Sequence, residues 1–118
     1  MPEKPAMQKR NERIWRTICD VPEGSVASYG QIAEITGIPR GARQVGFALR
    51  HLPKGHEVPW HRIITSSGRI AFDKGSRPYR EQVKRLKMEG IAVIRDIIVI
   101  VILITEVGKL ITVVVSGF

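Results

Sequence analysis

A chain of 118 residues is long enough for one hydrophobic core but not for two, and 43% hydrophobic with 25% charged residues excludes wholesale disorder. Lys and Arg outnumber Asp and Glu by 19 to 11, a net charge of +8, and the whole excess lies in residues 1–90. Such a balance favours a polyanionic partner, most often nucleic acid, although solubility alone also explains a basic surface.

The cysteine content and the N-terminal sequence bear on compartment and cofactors. Cys19 is the only cysteine, which excludes an internal disulfide, and no Cys/His spacing resembles a zinc site. Residues 1–15 lack the apolar stretch of a signal peptide. We therefore expect a reducing, intracellular setting with neither a metal nor another cofactor. We place Cys19 on the apolar side of the first helix, as an inert core residue.

The first two helices have clear sequence boundaries. Residues 11–20 predict a helix because their apolar residues fall on one helix face, and residues 21–24 predict the turn that ends it. Ser28 and Gln31 have the spacing of a capping box, which predicts the start of a second helix. Gly37 predicts the end of that helix, since glycine tolerates the left-handed conformation there.

Residues 40–52 predict a third helix, and with the second helix it forms the pattern of a helix-turn-helix. Between Arg40 and Lys54 there are four basic residues and no acidic one. Glycine inside a helix costs up to ~1 kcal/mol, so Gly41 and Gly46 need a reason. We expect close approach to a DNA groove at Gly41, and leave groove contact and helix packing both open at Gly46.

Two further elements precede residue 91. Residues 58–72 alternate apolar and polar side chains around Ser67-Gly68, which predicts a small hairpin or wing. Pro78 suits the first turn of a last helix, and Gly90 suits its end. The predicted fold class is therefore mainly α with a small β component.

The C-terminal 28 residues differ in composition from the rest. Their four charged side chains cancel, and the run from Ile97 to Ile104 is continuously apolar. A membrane span needs about 20 such residues, and Glu106 interrupts the run too early. The β-branched residues around Gly108 predict two strands of a hairpin, or a buried element. We assign residues 1–90 to a DNA-binding region and 91–118 to a β-prone tail of the same domain.

Five sequence blocks fall in register with one known family. They are Ile18–Gly24 (ICDVPEG), Val26–Ala33 (VASYGQIA), Gly41–Gly46 (GARQVG), Val58–Ile64 (VPWHRII) and Glu89-Gly90. In this order and spacing the chain resembles the DNA-binding domain of the O(6)-alkylguanine-DNA alkyltransferases over roughly residues 10–90. The resemblance implies the winged helix-turn-helix-like fold of that domain.

One position in the fourth block departs from the transferases. Their motif reads Pro-Cys-His-Arg, and its cysteine accepts the alkyl group, whereas Trp60 stands at that position here. An indole supplies no thiolate, so dealkylation by the family mechanism is excluded. Tryptophan at this position makes the chain similar to the alkyltransferase-like proteins, which implies that it is not an enzyme. The transferases' Asn-Pro, eight positions earlier, is Leu52-Pro53 here, a second departure.

The resemblance also implies how DNA is held. The second helix of the helix-turn-helix lies in the minor groove, where Arg43 corresponds to the arginine finger that replaces an extruded nucleotide, and Tyr29 to the tyrosine that rotates the phosphate. The alternatives are a plain phosphate contact for Arg43 and core packing for Tyr29. Further DNA contacts are expected from Ser28, Gly41, Ala42, Gln44 and Gly46.

We expect a lesion pocket around Trp60. Pro59, which precedes Trp60, is expected to line this pocket. Some relatives have a second arginine that contacts the flipped base. Asp73 stands at that position here, and the adjacent Lys74 is the nearest possible replacement. The alternative is that Trp60 only fills a core cavity. His61 and Glu89 match the residues that activate the cysteine in the transferases, and Arg62 is expected to bind backbone carbonyls nearby. We expect these three residues to form a structural hydrogen-bond relay here.

These residues together predict non-enzymatic recognition of O(6)-alkylguanine in double-stranded DNA, by minor-groove binding and flipping of the nucleotide into the Trp60 pocket, which flags the damage for nucleotide excision repair proteins. Two alternatives stay open: alkyl transfer to Cys19 or another side chain, and a helix-turn-helix regulator that reads sequence. We further expect a monomer without membrane association, in the bacterial cytoplasm and on the nucleoid when bound.

Overall fold

The computed structural model describes the backbone of residues 5–106 and 109–116 and the side chains of residues 5–99. Its elements in chain order are α1 (Ala6–Cys19), β1 (Ala27–Ser28), α2 (Tyr29–Ile35), α3 (Ala42–Arg50), a 3-10 turn (Trp60–Arg62), β2 (Ile63–Ile64), α4 (Arg77–Met88), β3 (Ala92–Ile94), β4 (Ile97–Glu106) and β5 (Lys109–Ser116). The predicted class, mainly α with a small β component, is confirmed. None of the helices in the described part of the chain has the length and apolar content that crossing a bilayer requires.

Helix α1 begins at Ala6, five residues before the predicted start, and buries Ile14 and Ile18 completely. The Trp15 indole N–H donates a 2.7 Å hydrogen bond to the Ala48 carbonyl, which fixes α1 against α3. The prediction that Cys19 is a core residue is wrong, because its side chain is exposed. One residue after Ile18, the helix has turned by about 100°, away from the core.

The predicted capping box at the start of α2 is confirmed. The Ser28 hydroxyl accepts a 3.0 Å hydrogen bond from the Gln31 N–H, and the Gln31 side-chain oxygen accepts a 2.8 Å bond from the Ser28 N–H. Gly37 has a φ of +78°, as the predicted helix end requires. Helix α3 is shorter than predicted, and Arg40, with a φ of +59°, lies in the preceding turn.

The expectation that Gly41 faces a DNA groove is wrong. Gly41 is buried, and a Cβ built there would lie 2.6 Å from the Ile38 carbonyl oxygen, so the glycine is required by contact within the protein. At Gly46 a Cβ would meet only an Arg50 nitrogen, at 3.8 Å. Packing on a neighbouring helix therefore does not explain Gly46, and close approach to a DNA groove stays a prediction.

Residues 58–72 do not form the predicted hairpin. Strand β2 pairs instead in parallel with β1, with Ala27 opposite Ile63 and Ser28 opposite Ile64. Both isoleucines are buried, which suits a covered parallel strand better than one strand of an exposed wing. The pairing holds the segment that follows Trp60 against the start of α2.

Helix α4 supports this segment from the other side. Ser76 caps it, Pro78 lies in its first turn, and Gly90, with a φ of +81°, follows its end, as predicted. The buried Gln82 amide donates to the carbonyl oxygens of His61 (3.0 Å) and Ile63 (2.9 Å). This pair of bonds fixes the backbone on both sides of Arg62.

Strands β3, β4 and β5 form an antiparallel sheet in that order, so the predicted C-terminal hairpin is confirmed for the backbone. Its turn at residues 107–108 lies outside the described residues. At the inner end of the sheet, Ile91 and Ile98 are buried with Leu86 in the second of two core clusters. The first cluster joins α1, α2 and α3.

Candidate nucleic-acid interface

A cavity of about 580 Å³ opens between α3, the loop that follows it and the segment around Trp60. It is lined by Tyr29, Ala42, Arg43, Gly46, Leu49, Arg50, Leu52, Trp60, Ala71, Phe72 and Pro78. These residues are mostly apolar, with two arginines and no acidic side chain among them. Small-molecule sites span about 300–1000 Å³, so a nucleobase fits this one. We call it the lesion-sized cavity.

Helix α3 supplies one wall through its periodicity. Val45 and Ala48 are fully buried in the first core cluster, so the face with Ala42, Arg43 and Gly46 points away from the core. Arg43 is exposed, and it has neither a hydrogen bond nor an ion pair within the described part of the chain. Its guanidinium is therefore available to a ligand.

Tyr29 both packs on the core and lines the cavity. It lies at the start of α2, half-buried against the first core cluster. Burial raises the pKa of its hydroxyl, and the positive charge of Arg50 opposes that rise. The hydroxyl is therefore neutral at physiological pH and able to donate a hydrogen bond. The core-packing alternative for Tyr29 holds together with its position on the cavity wall.

Trp60 is half-buried and held by aromatic and cationic contacts. The Phe72 ring meets the indole edge-on, with 5.9 Å between ring centroids. The Arg85 guanidinium carbon lies 5.3 Å from the indole centroid, and the Arg85 Nε donates to Glu81 at 2.9 Å. The same indole also lines a second cavity, together with Cys19, Pro59 and His61. Trp60 thus forms part of the wall of two cavities, and Cys19 is a neighbour of the second.

His61, Arg62 and Glu89 form a compact group, which we call the carboxylate cluster. Arg62 donates two hydrogen bonds to Glu89, of 2.9 and 3.0 Å, and a third of 2.9 Å to the Val21 carbonyl. The His61 Nε2 lies 2.5 Å from Glu89, and the Gly24 N–H donates to the same carboxylate at 3.1 Å. Only 9% of the Glu89 side chain is exposed.

These contacts fix the charges in the carboxylate cluster. The Arg62 hydrogen bonds, against the cost of burial and with help from His61 and Gly24, lower the pKa of Glu89 to about 2. Hydrogen bonding to Glu89 raises the pKa of Arg62. Because the carboxylate carries no proton, the His61 Nε2 must donate to it. The His61 Nδ1 is buried and has no partner among the described residues.

Several predicted site residues lie together, and others do not. The lesion-sized cavity unites Tyr29, Ala42, Arg43, Gly46 and Trp60. The remaining ones lie outside its lining: Ser28 caps α2, Gly41 is buried beneath Ile38, and Gln44, Pro59 and Lys74 do not line it. The roles of Ser28, Gln44, Pro59 and Lys74 toward DNA stay predictions.

Lys74 is the clearest departure from the predicted pocket. Its side chain is 75% exposed, and its amine lies 3.8 Å from the Asp96 carboxylate, in the loop between β3 and β4. An exposed ion pair of this length contributes little. Nothing in this geometry turns Lys74 toward Trp60.

Six lining residues were not among the predicted site residues: Leu49, Arg50, Leu52, Ala71, Phe72 and Pro78. Arg50 had a usable signal, because it follows Arg43 by seven residues and Gly46 by four, and so shares their helix face. Phe72 and Pro78 had none, since only the tertiary fold brings them to Trp60. Within the described residues there is no cluster of three or more metal-ligating side chains.

Comparison with known proteins gives consistent matches. The family described as "6-O-methylguanine DNA methyltransferase, DNA binding domain" matches residues 9–91. The chain is 36% identical over 96 residues to the DNA base-flipping protein of Escherichia coli strain K12, covering 79% of this chain and 73% of that protein. It is 41% identical over 81 residues to alkyltransferase-like protein 1 of Schizosaccharomyces pombe, covering 69% and 75%.

Solved structures agree with these matches. The structure of S. pombe Atl1 in complex with damaged DNA containing O6-carboxymethylguanine has a TM-score of 0.69 at 38% identity, covering 76% of this chain and 83% of that one. Mycobacterium tuberculosis OGT in complex with DNA has a TM-score of 0.59 at 33% identity, covering 74% and 51%. The fold is therefore that of proteins solved in complex with DNA.

Proposed function

Because this chain belongs to the family of the 6-O-methylguanine DNA methyltransferase DNA-binding domain, and within it to the alkyltransferase-like proteins, we propose that it binds DNA and recognises damaged guanine without repairing it. The lesion is O(6)-alkylguanine in a duplex, flipped into the lesion-sized cavity beside Trp60. The bound complex then marks the site for nucleotide excision repair proteins.

One observation carries this proposal: the lesion-sized cavity combines an aromatic wall, a free guanidinium and a half-buried tyrosine, with no acid that would repel DNA. Trp60 and Phe72 offer apolar surface to an alkylated base. Arg43 lies on the outward face of α3, where a minor groove would approach. Gly46, where an added Cβ would meet only an Arg50 nitrogen at 3.8 Å, allows that approach to be close.

The energies of the step are compatible. Flipping a nucleotide costs a few kcal/mol in stacking and pairing, and contact of a base with an aromatic side chain returns about 1–3 kcal/mol. The planar Arg43 guanidinium can fill the vacated position in the base stack, which an ammonium group cannot do. An alkylated guanine pairs poorly, so it is extruded at lower cost than an undamaged one.

A matched pair of titrations tests the proposal. We expect the protein to bind a duplex with O(6)-methylguanine about tenfold more tightly than its undamaged counterpart at one fixed salt concentration. Arg43→Ala should weaken both complexes. Lys87→Ala, an equal charge change outside the lesion-sized cavity, should leave the ratio of the two affinities unaltered. Equal affinities for the two duplexes would contradict the proposal, and equal affinities with a strong sequence preference would favour a regulator.

Alkyl transfer is the second candidate, because Cys19 is exposed and lines the second cavity beside Trp60. Cys19 does not line the lesion-sized cavity, so a base held there does not face its thiol. Incubation with methylated duplex followed by intact-protein mass measurement separates the two candidates. We expect an unchanged mass, and a stoichiometric methyl adduct would establish transfer.

A further inference from the structure

Arg50 is a cavity arginine that the proposed function does not use. It lies at the last position of α3, on the same helix face as Arg43 and Gly46. Its Nη1 atom is 3.8 Å from the point where a Cβ on Gly46 would sit, so the guanidinium folds back along the helix over the glycine. The side chain therefore borders the lesion-sized cavity while it stays exposed to solvent.

The charge of Arg50 is not neutralised by the protein. Arg62 and Arg85 each hold a glutamate, but Arg50 has neither an ion pair nor a hydrogen bond within the described residues. No acidic residue lies between positions 40 and 54, and none lines the cavity. Tyr29 lines the same cavity, and the Arg50 charge opposes the rise in the pKa of the Tyr29 hydroxyl that burial causes.

A free guanidinium next to an apolar wall is a good site for a carboxylate. Its planar fork matches the two carboxylate oxygens, and the bond strengthens where water is partly excluded. Arg43 is not available for this contact, because in the proposed complex it fills the base stack. Arg50 is then the cation that remains beside the substituent of a flipped guanine.

We propose that Arg50 makes this site selective for O(6)-alkyl groups that end in a carboxylate. The guanidinium binds the carboxylate, while Trp60, Phe72 and Leu52 contact the base and the carbon atoms of the substituent. The inference rests on the proposed function, since a substituent reaches Arg50 only if the nucleotide is flipped.

Four duplexes test this selectivity. They are identical except at one guanine, which is undamaged, O(6)-methylated, O(6)-carboxymethylated or O(6)-carbamoylmethylated, and the last is the neutral counterpart of the third. We expect wild-type protein to bind the carboxymethyl duplex about tenfold more tightly than the carbamoylmethyl duplex. Added salt should reduce that ratio, because the contact is between opposite charges.

Substitution of the arginine completes the test. Arg50→Gln should bring the carboxymethyl and carbamoylmethyl affinities together. Arg50→Lys should retain part of the carboxylate preference, and Lys87→Ala should retain all of it. Thermal melting of each variant checks that it is folded.

The outcomes separate this inference from the function on which it rests. An unchanged carboxymethyl-to-carbamoylmethyl ratio in Arg50→Gln would overturn it. Equal weakening of all four complexes would also overturn it, since the guanidinium would then bind a backbone phosphate. If wild-type protein does not prefer methylated to undamaged DNA, the proposed function fails, and this inference with it.

Discussion

Trp60 and His61 are neighbours in sequence, but they belong to regions with opposite electrostatic character. In the carboxylate cluster, Arg62 and Glu89 are paired with each other and nearly buried. In the lesion-sized cavity, two arginines have no partner within the described residues, and no acid is present. One four-residue block, Pro-Trp-His-Arg, thus contributes to both regions. Charges that pair inside the protein stabilise the fold, and charges left unpaired are available to DNA.

The two regions are held by the same backbone. Gln82 binds the carbonyl oxygens of His61 and Ile63, and β1 pairs with β2 directly after Arg62. This support fixes the position of Trp60 without using its side chain. We therefore expect that the cluster can be weakened without loss of lesion preference, and that the cavity can be altered at little cost in stability.

The largest expected effect is on stability, from Glu89→Gln. Removing the Glu89 charge leaves the largely buried Arg62 guanidinium without its ionic partner. We expect the free energy of unfolding, measured by urea denaturation, to fall by about 3 kcal/mol. Glu81→Gln, which breaks the exposed pair with Arg85, is the matched control and should cost much less, because solvent screens that pair. Similar losses of stability in the two variants would show that the buried ion pair contributes no more than the exposed one.

Trp60→Ala should weaken lesion binding at little cost in stability. We expect the affinity for the O(6)-methylguanine duplex to fall by about 1–3 kcal/mol, because the aromatic contact with the base is lost. Affinity for undamaged DNA should stay near the wild-type value, and Trp60→Phe should retain part of the preference. If Trp60→Ala keeps its full preference for damaged DNA, the indole only fills space.

Acid should weaken the carboxylate cluster. The Glu89 pKa is about 2 in the folded protein against 4.5 ordinarily, so the unfolded chain binds the extra proton first as pH falls. The contribution of Glu89 is complete above pH 4.5 and should decrease by about 2 kcal/mol between pH 4.5 and 3. Urea denaturation across this range should show the decrease in wild type and a shallower one in Glu89→Gln.

Two glycines of the α3 region give the smallest and most closely matched test. Gly41→Ala should destabilise the protein by at least about 1 kcal/mol, since the added methyl group meets Ile38. Gly46→Ala should be neutral or should stabilise by up to ~1 kcal/mol, because its methyl group meets only Arg50. The same change should weaken DNA binding if the groove approaches Gly46. Equal thermal stability of the two variants would contradict these assignments.

Local sequence signals predicted local structure well. The capping box at Ser28 and the glycine ends of α2 and α4 depend on residues within a few positions of each other, and all are present. The parallel pairing of Ala27–Ser28 with Ile63–Ile64 was not predictable in this way, because it joins strands 36 residues apart. An alternating pattern of apolar and polar residues does not predict which strand will pair with which.

The site shows the same limit at the level of single residues. Trp60, Arg43 and Tyr29 were found through the family resemblance, and the fold brings them to one cavity. Gly41 was misjudged because the Ile38 contact that requires it depends on the conformation of the turn between α2 and α3. The approach of Lys74 to Asp96 was not predictable, because Asp96 comes from a loop of the C-terminal sheet.

The most direct test of the central claim is whether the damaged nucleotide leaves the helix on binding. A 2-aminopurine placed next to the O(6)-methylguanine reports loss of base stacking through increased fluorescence. With saturating protein, we expect a large increase for wild type, and none for Arg43→Ala at concentrations where that variant is also fully bound. An unchanged signal with wild type, or an equal increase with Arg43→Ala, would contradict extrusion driven by Arg43 into the space beside Trp60.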